Sequence, residues 1–164
     1  MIKHISSKNF MRIGYFADGP WSHKGLKKML EDKRFEIMFI CARYSSPDKF
    51  LEEKAKELGI SFFIHKNVNS DEFIKKIKKY ACDIFLSISF DQIFLEKFYK
   101  LPPFGTINIH AGKLPFYRGR NVLNWVLIND EKEFGITAHY IDNGIDKGDI
   151  IHQKTFPISD LDTY

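Results

Sequence analysis

Residues 11–42 read MRIGYFADGPWSHKGLKKMLEDKRFEIMFICA, and this stretch indicates the fold. Two apolar runs, Met11–Ala17 and Phe35–Ala42, have the length and composition of buried strands. Between them, a turn at residues 18–20 leads into an amphipathic helix, for which Ser22 is the predicted N-cap. A strand, a helix and a second apolar strand form a β-α-β unit, in which the strands are parallel. The apolar face of the predicted helix consists of Leu26, Met29 and Leu30.

The same alternation continues toward the C-terminus. Residues 46–47 (Ser-Pro) predict the start of a second helix that stops at Gly59, and Ser70 predicts the cap of a third. Further strands are predicted from Ile60, Asp83 and Gly105, with helices near residues 93–98 and at Val122–Ile128.

Repeated β-α-β units predict an α/β fold: a Rossmann-like, mainly parallel sheet with helices on both faces. The pattern changes in the last third of the chain. There, residues 135–141 and 148–158 have the composition of two strands joined by a glycine-rich loop. We therefore expect the C-terminal end of the sheet to be antiparallel or mixed.

Length and composition indicate one soluble, globular domain. The chain has 164 residues, of which 44% are hydrophobic and 28% charged, and no apolar run is long enough to span a membrane. Residues 1–10 lack the apolar core of a signal peptide, so we expect a disordered lead-in followed by a domain at 11–164. Cys41 and Cys82 lack CxxC spacing, which is typical of reduced thiols in the cytoplasm. Residues 159–164 resemble the start of a further helix, which leaves open whether the domain is truncated there.

Two features argue against tight binding of nucleic acids and dinucleotides. The net charge is only +4, and the lysine cluster at residues 75–79 is interpreted as the solvated face of a helix. The first strand-to-helix turn, residues 17–25, contains neither GxGxxG nor GxxxxGK[ST].

The residues most typical of an active site lie in two segments, INIHAGKLPFYRGRNVLNW (residues 107–125) and GITAHYIDNGIDKGDI (135–150). Asn108 and His110 are two residues apart at the end of a predicted strand, so both side chains leave the same face. Asp146 lies in a glycine-flanked loop that is predicted to fold back to them. The carboxamide and the imidazole can donate to an oxyanion, and the carboxylate can orient the imidazole and help to remove a proton from an amine. These groups suit acyl transfer to an amine, a reaction that requires no covalent enzyme intermediate and no metal.

These two segments resemble the formyltransferase family that uses 10-formyltetrahydrofolate. The family includes methionyl-tRNA and glycinamide ribonucleotide formyltransferases, formyltetrahydrofolate deformylase and sugar N-formyltransferases. The resemblance is loose over the whole domain and close over Gly105–Ile151. It implies that Asn108, His110 and Asp146 are the catalytic residues and that 10-formyltetrahydrofolate is the formyl donor, with no metal. The donor-binding residues implied by the resemblance are Ser89, Phe90, Leu114, Asp142, Asn143, Gly144 and Ile145.

The acceptor is suggested by finer resemblances. Methionyl-tRNA formyltransferases carry a long basic insertion after the second strand, whereas here residues 41–48 lead straight into a helix. The segment YRGRNVLNWVLIND (117–130) resembles the corresponding segment of sugar N-formyltransferases. We therefore expect a nucleotide-linked amino sugar as the acceptor, bound by Lys113, Arg118 and Arg120. The alternatives are methionyl-tRNA, a hydrolase in which water replaces the amine, and a folate-binding module without activity; a homodimer is left open.

Side chains near these motifs are given structural roles. His139 and His152 are interpreted as structural or surface histidines, and Leu123 and Trp125 as core residues of the helix that follows. The family often has H-x-S-L-L-P where this chain has HAGKLP at residues 110–115.

Overall fold

A computed structural model of the protein describes residues 10–159. Its strands are β1 (Met11–Ala17), β2 (Phe35–Ala42), β3 (Ser61–Ile64), β4 (Ile84–Ile88), β5 (Thr106–His110), β6 (Glu133–Tyr140) and β7 (Ile150–Pro157). Its helices are α1 (Gly19–Leu30), α2 (Lys49–Glu57), α3 (Asp71–Lys78), α4 (Glu96–Tyr99) and α5 (Val122–Ile128). The expected lead-in over residues 1–10 lies outside the described residues, apart from Phe10, as do residues 160–164.

The strands form one seven-stranded sheet in the order β3-β2-β1-β4-β5-β6-β7. The strands β1 to β5 run parallel to one another, whereas β6 runs antiparallel to both β5 and β7. The mainly parallel sheet with a mixed C-terminal end is therefore confirmed. Strand order reverses between β1 and β4, and the crevice at such a switch point is where α/β sheets bind ligands.

Helices cover both faces of the parallel strands, as predicted. On one face, α1 and α2 pack through Leu26, Met29, Leu51 and Ala55 against alternate residues of the central strands, such as Tyr15 and Ala17. On the opposite face, α3 and α4 enclose a cluster rich in phenylalanine, centred on Phe16. The Phe16 ring centroid lies 5.1–5.6 Å from those of Phe39, Phe85, Phe90, Phe94 and Phe98.

The predicted starts of two helices are wrong, and the Asp48 carboxylate contacts both of the actual starts. The helix α1 begins at Gly19 after Asp18, so Ser22 lies within its first turn, where its hydroxyl donates to the Gly19 carbonyl (2.8 Å). Similarly, α2 begins at Lys49 rather than at residues 46–47, and its cap is the Asp48 carboxylate, which accepts from the Leu51 amide (3.0 Å). Asp48 also accepts from the Gly19 amide (2.8 Å), a tertiary contact that sequence spacing does not show.

The remaining local predictions are mostly confirmed. Ser70 caps α3 by accepting from the Phe73 amide, and α5 spans Val122–Ile128 as expected. Trp125, expected in the core, is 56% exposed, because α5 buries only the face that carries Val122 and Val126.

Candidate active site

Asn108 and His110 lie at the carboxyl end of β5 on one face of the sheet. In the antiparallel pair β5–β6, Asn108 is opposite His139 and His110 is opposite Thr137. Residues directly opposite each other share a face, so His139 joins Asn108 and His110 on the same side. His110 and His139 are 8% and 1% exposed. The sheet register therefore gathers a carboxamide and two imidazoles at one edge.

Asp146 lies between the two histidines. Its Oδ2 is 3.6 Å from His110 Nδ1, and its Oδ1 is 3.4 Å from His139 Nε2. The Gly119 amide donates to the same carboxylate at 2.8 Å. The loop backbone places Asp146 in the left-handed region, with φ of 50°, which is unusual for a residue with a Cβ atom. Such a conformation needs support from its surroundings, and these contacts provide it.

The pKa of the Asp146 carboxyl reflects opposing effects. Burial alone would raise the pKa, because it disfavours the charged form. The hydrogen bond with His139, the Gly119 amide and the charges of His110 and His139 outweigh burial and lower the pKa below its ordinary value. Asp146 is therefore ionised at neutral pH and can accept a proton.

His110 is held from both sides of its ring. Its Nε2 contacts the Tyr117 carbonyl at 2.6 Å, while Nδ1 faces Asp146. Gly112 makes this closure possible, because a Cβ atom at that position would collide with the His110 ring and with the Tyr117 carbonyl. Both ring nitrogens face acceptors, so a doubly protonated ring would donate to both.

His139 is the residue whose role sequence analysis missed. Its Nδ1 donates to the Tyr140 carbonyl at 2.8 Å, and its Nε2 lies 3.3 Å from Asn108 Nδ2 as well as near Asp146. It thus connects the carboxamide to the carboxylate. Alternation along the predicted strand placed His139 on one face of that strand. Whether this is the face that carries Asn108 and His110 depends on the β5–β6 register, which only the structure shows.

The residues implied as donor-binding lie on either side of this group. Ser89, exposed and with φ of 57°, and the half-buried Phe90 follow β4, the strand that pairs with β5. Residues 142–145 form an exposed loop after β6, in which the Gly144 amide donates to the Asp142 carbonyl at 2.9 Å. Leu114 is buried and lines a cavity of about 270 Å³ with Pro115, Arg118 and residues 146–150.

The three residues expected to bind the acceptor already have partners within the protein. Lys113 forms an ion pair with Glu133. Arg118 donates through Nε to the Asp146 carbonyl (3.1 Å), and Arg120 donates through Nη2 to the Asp91 carbonyl (3.1 Å). Both arginines are exposed, and each uses one nitrogen in these bonds.

Residues 10–159 contain neither a metal-binding cluster nor a membrane-spanning helix. No group of three or more His, Cys, Asp and Glu side chains is arranged to hold a metal ion. None of the helices in this part of the chain has the length and apolarity needed to cross a membrane.

Comparison with known protein families gives a match over most of the chain. Residues 21–164 match the family described as formyl transferase. The chain belongs to the formyl transferase family. Within that family, it is 32% identical over 165 residues to the methionyl-tRNA formyltransferase of Kosmotoga olearia, covering 94% of this chain and 52% of that protein. The chain thus spans about half the length of this relative.

The chain is also similar to proteins that have other names. The bifunctional polymyxin resistance protein ArnA of Wigglesworthia glossinidia brevipalpis is 38% identical over 113 residues, covering 69% of this chain and 17% of that protein. Among solved structures, glycinamide ribonucleotide transformylase 1 from Symbiobacterium toebii superposes with a TM-score of 0.81 at 20% identity, covering 98% and 80% of the two chains. At that identity, the likeness supports the fold alone.

Proposed function

We propose that this formyl transferase moves a formyl group from 10-formyltetrahydrofolate to an amine, with Asn108, His110 and Asp146 as its catalytic residues. The observation that carries the proposal is the Asp146 carboxylate, which lies between two histidines beside Asn108 at the carboxyl end of β5. Asn108 is a hydrogen-bond donor, His110 can carry a proton and Asp146 is an ionised base, and these are the groups that direct acyl transfer requires.

Each side chain has a separate task in the proposed reaction. When bound, the donor supplies a formyl carbon already activated on nitrogen. Asn108 Nδ2 donates to the formyl oxygen as the amine attacks and negative charge develops there, an effect typically worth about 3–4 kcal/mol of barrier. Asp146 accepts the proton that the attacking amine loses, directly or through water. His110 donates to the same formyl oxygen. Because it is in contact with Asp146, it can then give its proton to the nitrogen that leaves and take up the proton that Asp146 received from the amine, so both side chains return to their starting states.

The proposed donor site lies between Ser89–Phe90 and the loop 142–145, with Leu114 behind it. Residues 142–145 are solvent-exposed, so their peptide groups are accessible to a flat heterocycle such as a pterin. Phe90 and the exposed Ile145 offer apolar surface on opposite sides. The residues present therefore fit a folate, which has both a hydrogen-bonding ring system and apolar parts.

For the acceptor, we propose a nucleotide-linked amino sugar held by Lys113, Arg118 and Arg120. The unused guanidinium nitrogens can bind phosphate oxygens in a fork. The short connection of residues 43–48 between β2 and α2 supports a small acceptor, because it leaves little surface for the many phosphate contacts that RNA binding needs. The proposed location is the cytoplasm, which suits the two free, buried cysteines.

Methionyl-tRNA is the second candidate acceptor. It is favoured by the 32% identity to a methionyl-tRNA formyltransferase along almost the whole of this chain. A deformylase that uses water is the third candidate, because the same three side chains could activate water in place of an amine.

The test follows the release of tetrahydrofolate from 10-formyltetrahydrofolate, with nucleotide-linked amino sugars, methionyl-tRNA or buffer added separately. We expect release only with an amino-sugar nucleotide, and its loss in Asn108→Ala. His152→Ala is the control, since His152 is exposed on β7. Release only with tRNA would replace the proposed acceptor, and release in buffer alone would indicate a hydrolase. Failure of the chain to bind the donor would refute the proposal.

A further inference from the structure

Arg43 connects three neighbouring strand ends on the carboxyl edge of the sheet. It is the first residue after β2, and its guanidinium lies between two carboxylates. Its Nη2 is 2.9 Å from Asp18 Oδ2, and its Nε is 3.6 Å from Asp91 Oδ2. Asp18 directly follows β1, and Asp91 lies three residues after β4. Because β2, β1 and β4 are adjacent, one side chain ties the three ends together.

The loop after β4 depends on such contacts. Ser89 has a left-handed backbone (φ 57°), which is disfavoured for a residue with a Cβ atom and persists only when its surroundings hold it. The Phe90 ring packs on the phenylalanine cluster, with its centroid 5.6 Å from those of Phe16 and Phe94. At its outer end, Asp91 is held by Arg43 through the carboxylate and by Arg120 through the carbonyl.

The charge of Arg43 is needed at this position. Burial raises the pKa of the Asp18 carboxyl, Arg43 opposes this, and Asp48 and Asp91 raise the pKa further as like charges. Among residues 10–159, Arg43 Nε and Asp91 Oδ1 are two of the three buried side-chain atoms without a hydrogen-bond partner. Arg43 Nε is thus joined to Asp91 by the 3.6 Å ion pair with Oδ2 and not by a hydrogen bond. Without the guanidinium, the two carboxylates would repel each other and push the Asp91 loop outward.

The loop borders the candidate active site without being part of its chemistry. In the β4–β5 pair, Ser87 is opposite Asn108, so the loop leaves the sheet about 4.8 Å from the strand that carries Asn108 and His110. Those two side chains contact His139, Tyr117 and Asp146, which lie outside this loop. Movement of the loop would therefore change the wall of the donor site more than it changes the catalytic side chains.

We propose that Arg43 is a positioning residue for the formyl donor: it holds residues 89–91 in the conformation that forms one wall of the donor site. This inference rests on the proposed function, because it takes the ligand beside that wall to be the folate donor. The planar guanidinium reaches both carboxylates at once, which a lysine ammonium does not do in the same geometry. Lysine at this position should therefore restore the function only in part.

The kinetic test varies donor and acceptor separately in Arg43→Met, Arg43→Lys and wild type. We expect the donor KM to rise about tenfold in Arg43→Met and about threefold in Arg43→Lys, with kcat and the acceptor KM within about twofold of wild type. The control is Arg34→Met, which removes an exposed ion pair with Asp32 (2.6 Å) at the opposite edge of the sheet. A rise in the acceptor KM alone, or no change in either KM, would overturn the inference.

Amide hydrogen exchange gives a second reading that needs no turnover. In Arg43→Met, the amides of residues 90–92 should exchange about tenfold faster, while those of β5 keep the wild-type rate. Unchanged exchange in the loop would overturn the inference. If Arg43→Met fails to fold, Asp91→Asn removes the same charge link and is held to the same outcomes. Absence of tetrahydrofolate binding to the wild-type chain would refute the proposed function, whereas wild-type binding that Arg43→Met leaves unchanged would refute only the role of Arg43.

Discussion

The two halves of the sheet are built differently. Strand β1, in the parallel half, is buried along most of its length between two helical layers, whereas β7, at the antiparallel edge, is exposed along most of its length. The parallel half buries almost only apolar side chains, while β5 and β6 bury His110, Thr137 and His139. One half therefore supplies a rigid core, and the other gathers polar groups from distant parts of the chain. Substitutions in the first half should change stability, and those in the second should change the reaction.

The largest expected effect on the reaction comes from Asp146→Asn. An asparagine can still accept from the Gly119 amide, but it cannot act as a base, so formyl transfer should fall by about a thousandfold or more. Initial rates with saturating donor and acceptor check this. The melting temperature should fall far less than it does for a core substitution, because only the modest stabilisation from the ionised carboxylate is lost. A rate within tenfold of wild type would contradict the role of Asp146 as the base.

In the parallel half, Phe16→Ala should have the largest effect on stability. Phe16 is fully buried among five phenylalanine rings, and its truncation leaves a cavity that the packed sheet cannot close. The free energy of unfolding should fall by about 3–5 kcal/mol, as measured by urea denaturation. A loss below 1 kcal/mol would show that this half is less rigid than its packing indicates.

A smaller effect on the reaction is expected from His139→Gln. Glutamine removes the ring that contacts both Asn108 and Asp146, so both of these proposed catalytic side chains lose a positioning contact. We expect kcat to fall by about ten- to a hundredfold, with little change in the KM of either substrate. His152→Gln, an exposed histidine on β7, should retain wild-type kinetics. If both variants behave alike, the buried position of His139 has no part in the reaction.

The pH dependence of stability should show the smallest effect. The pKa of Asp146 is lower in the folded protein than its ordinary value of 3.8, so its ionised form stabilises the fold at any pH above that value. This contribution is lost as the pH falls through the depressed folded pKa. The stability difference between wild type and Asp146→Asn should therefore be constant from about pH 5 to 8 and shrink only in stronger acid, as followed by denaturation at each pH. Shrinkage already near neutral pH would mean that the pKa is raised instead.

Local patterns were sufficient for most of the fold. The strands β1 and β2 and the helix α5 have the predicted bounds, because an apolar run or a stripe at helical spacing depends only on neighbouring residues. The starts of α1 and α2 were not predictable in the same way. They depend on Asp48, whose carboxylate caps its own helix and also accepts from Gly19, 29 residues earlier in the chain.

By itself, the sequence determined the fold class and the family, and it singled out Asn108, His110 and Asp146 as a candidate group, because each rests on residue type and spacing along the chain. Only the tertiary structure decided that His139 belongs beside them, that Arg118 and Arg120 donate to loop carbonyls, and that Arg43 joins three strand ends. These contacts depend on strand register and on side chains that meet across the sheet. The physical reason is that spacing shows which face a side chain occupies, whereas its partner is set by the pairing of strands far apart in the chain.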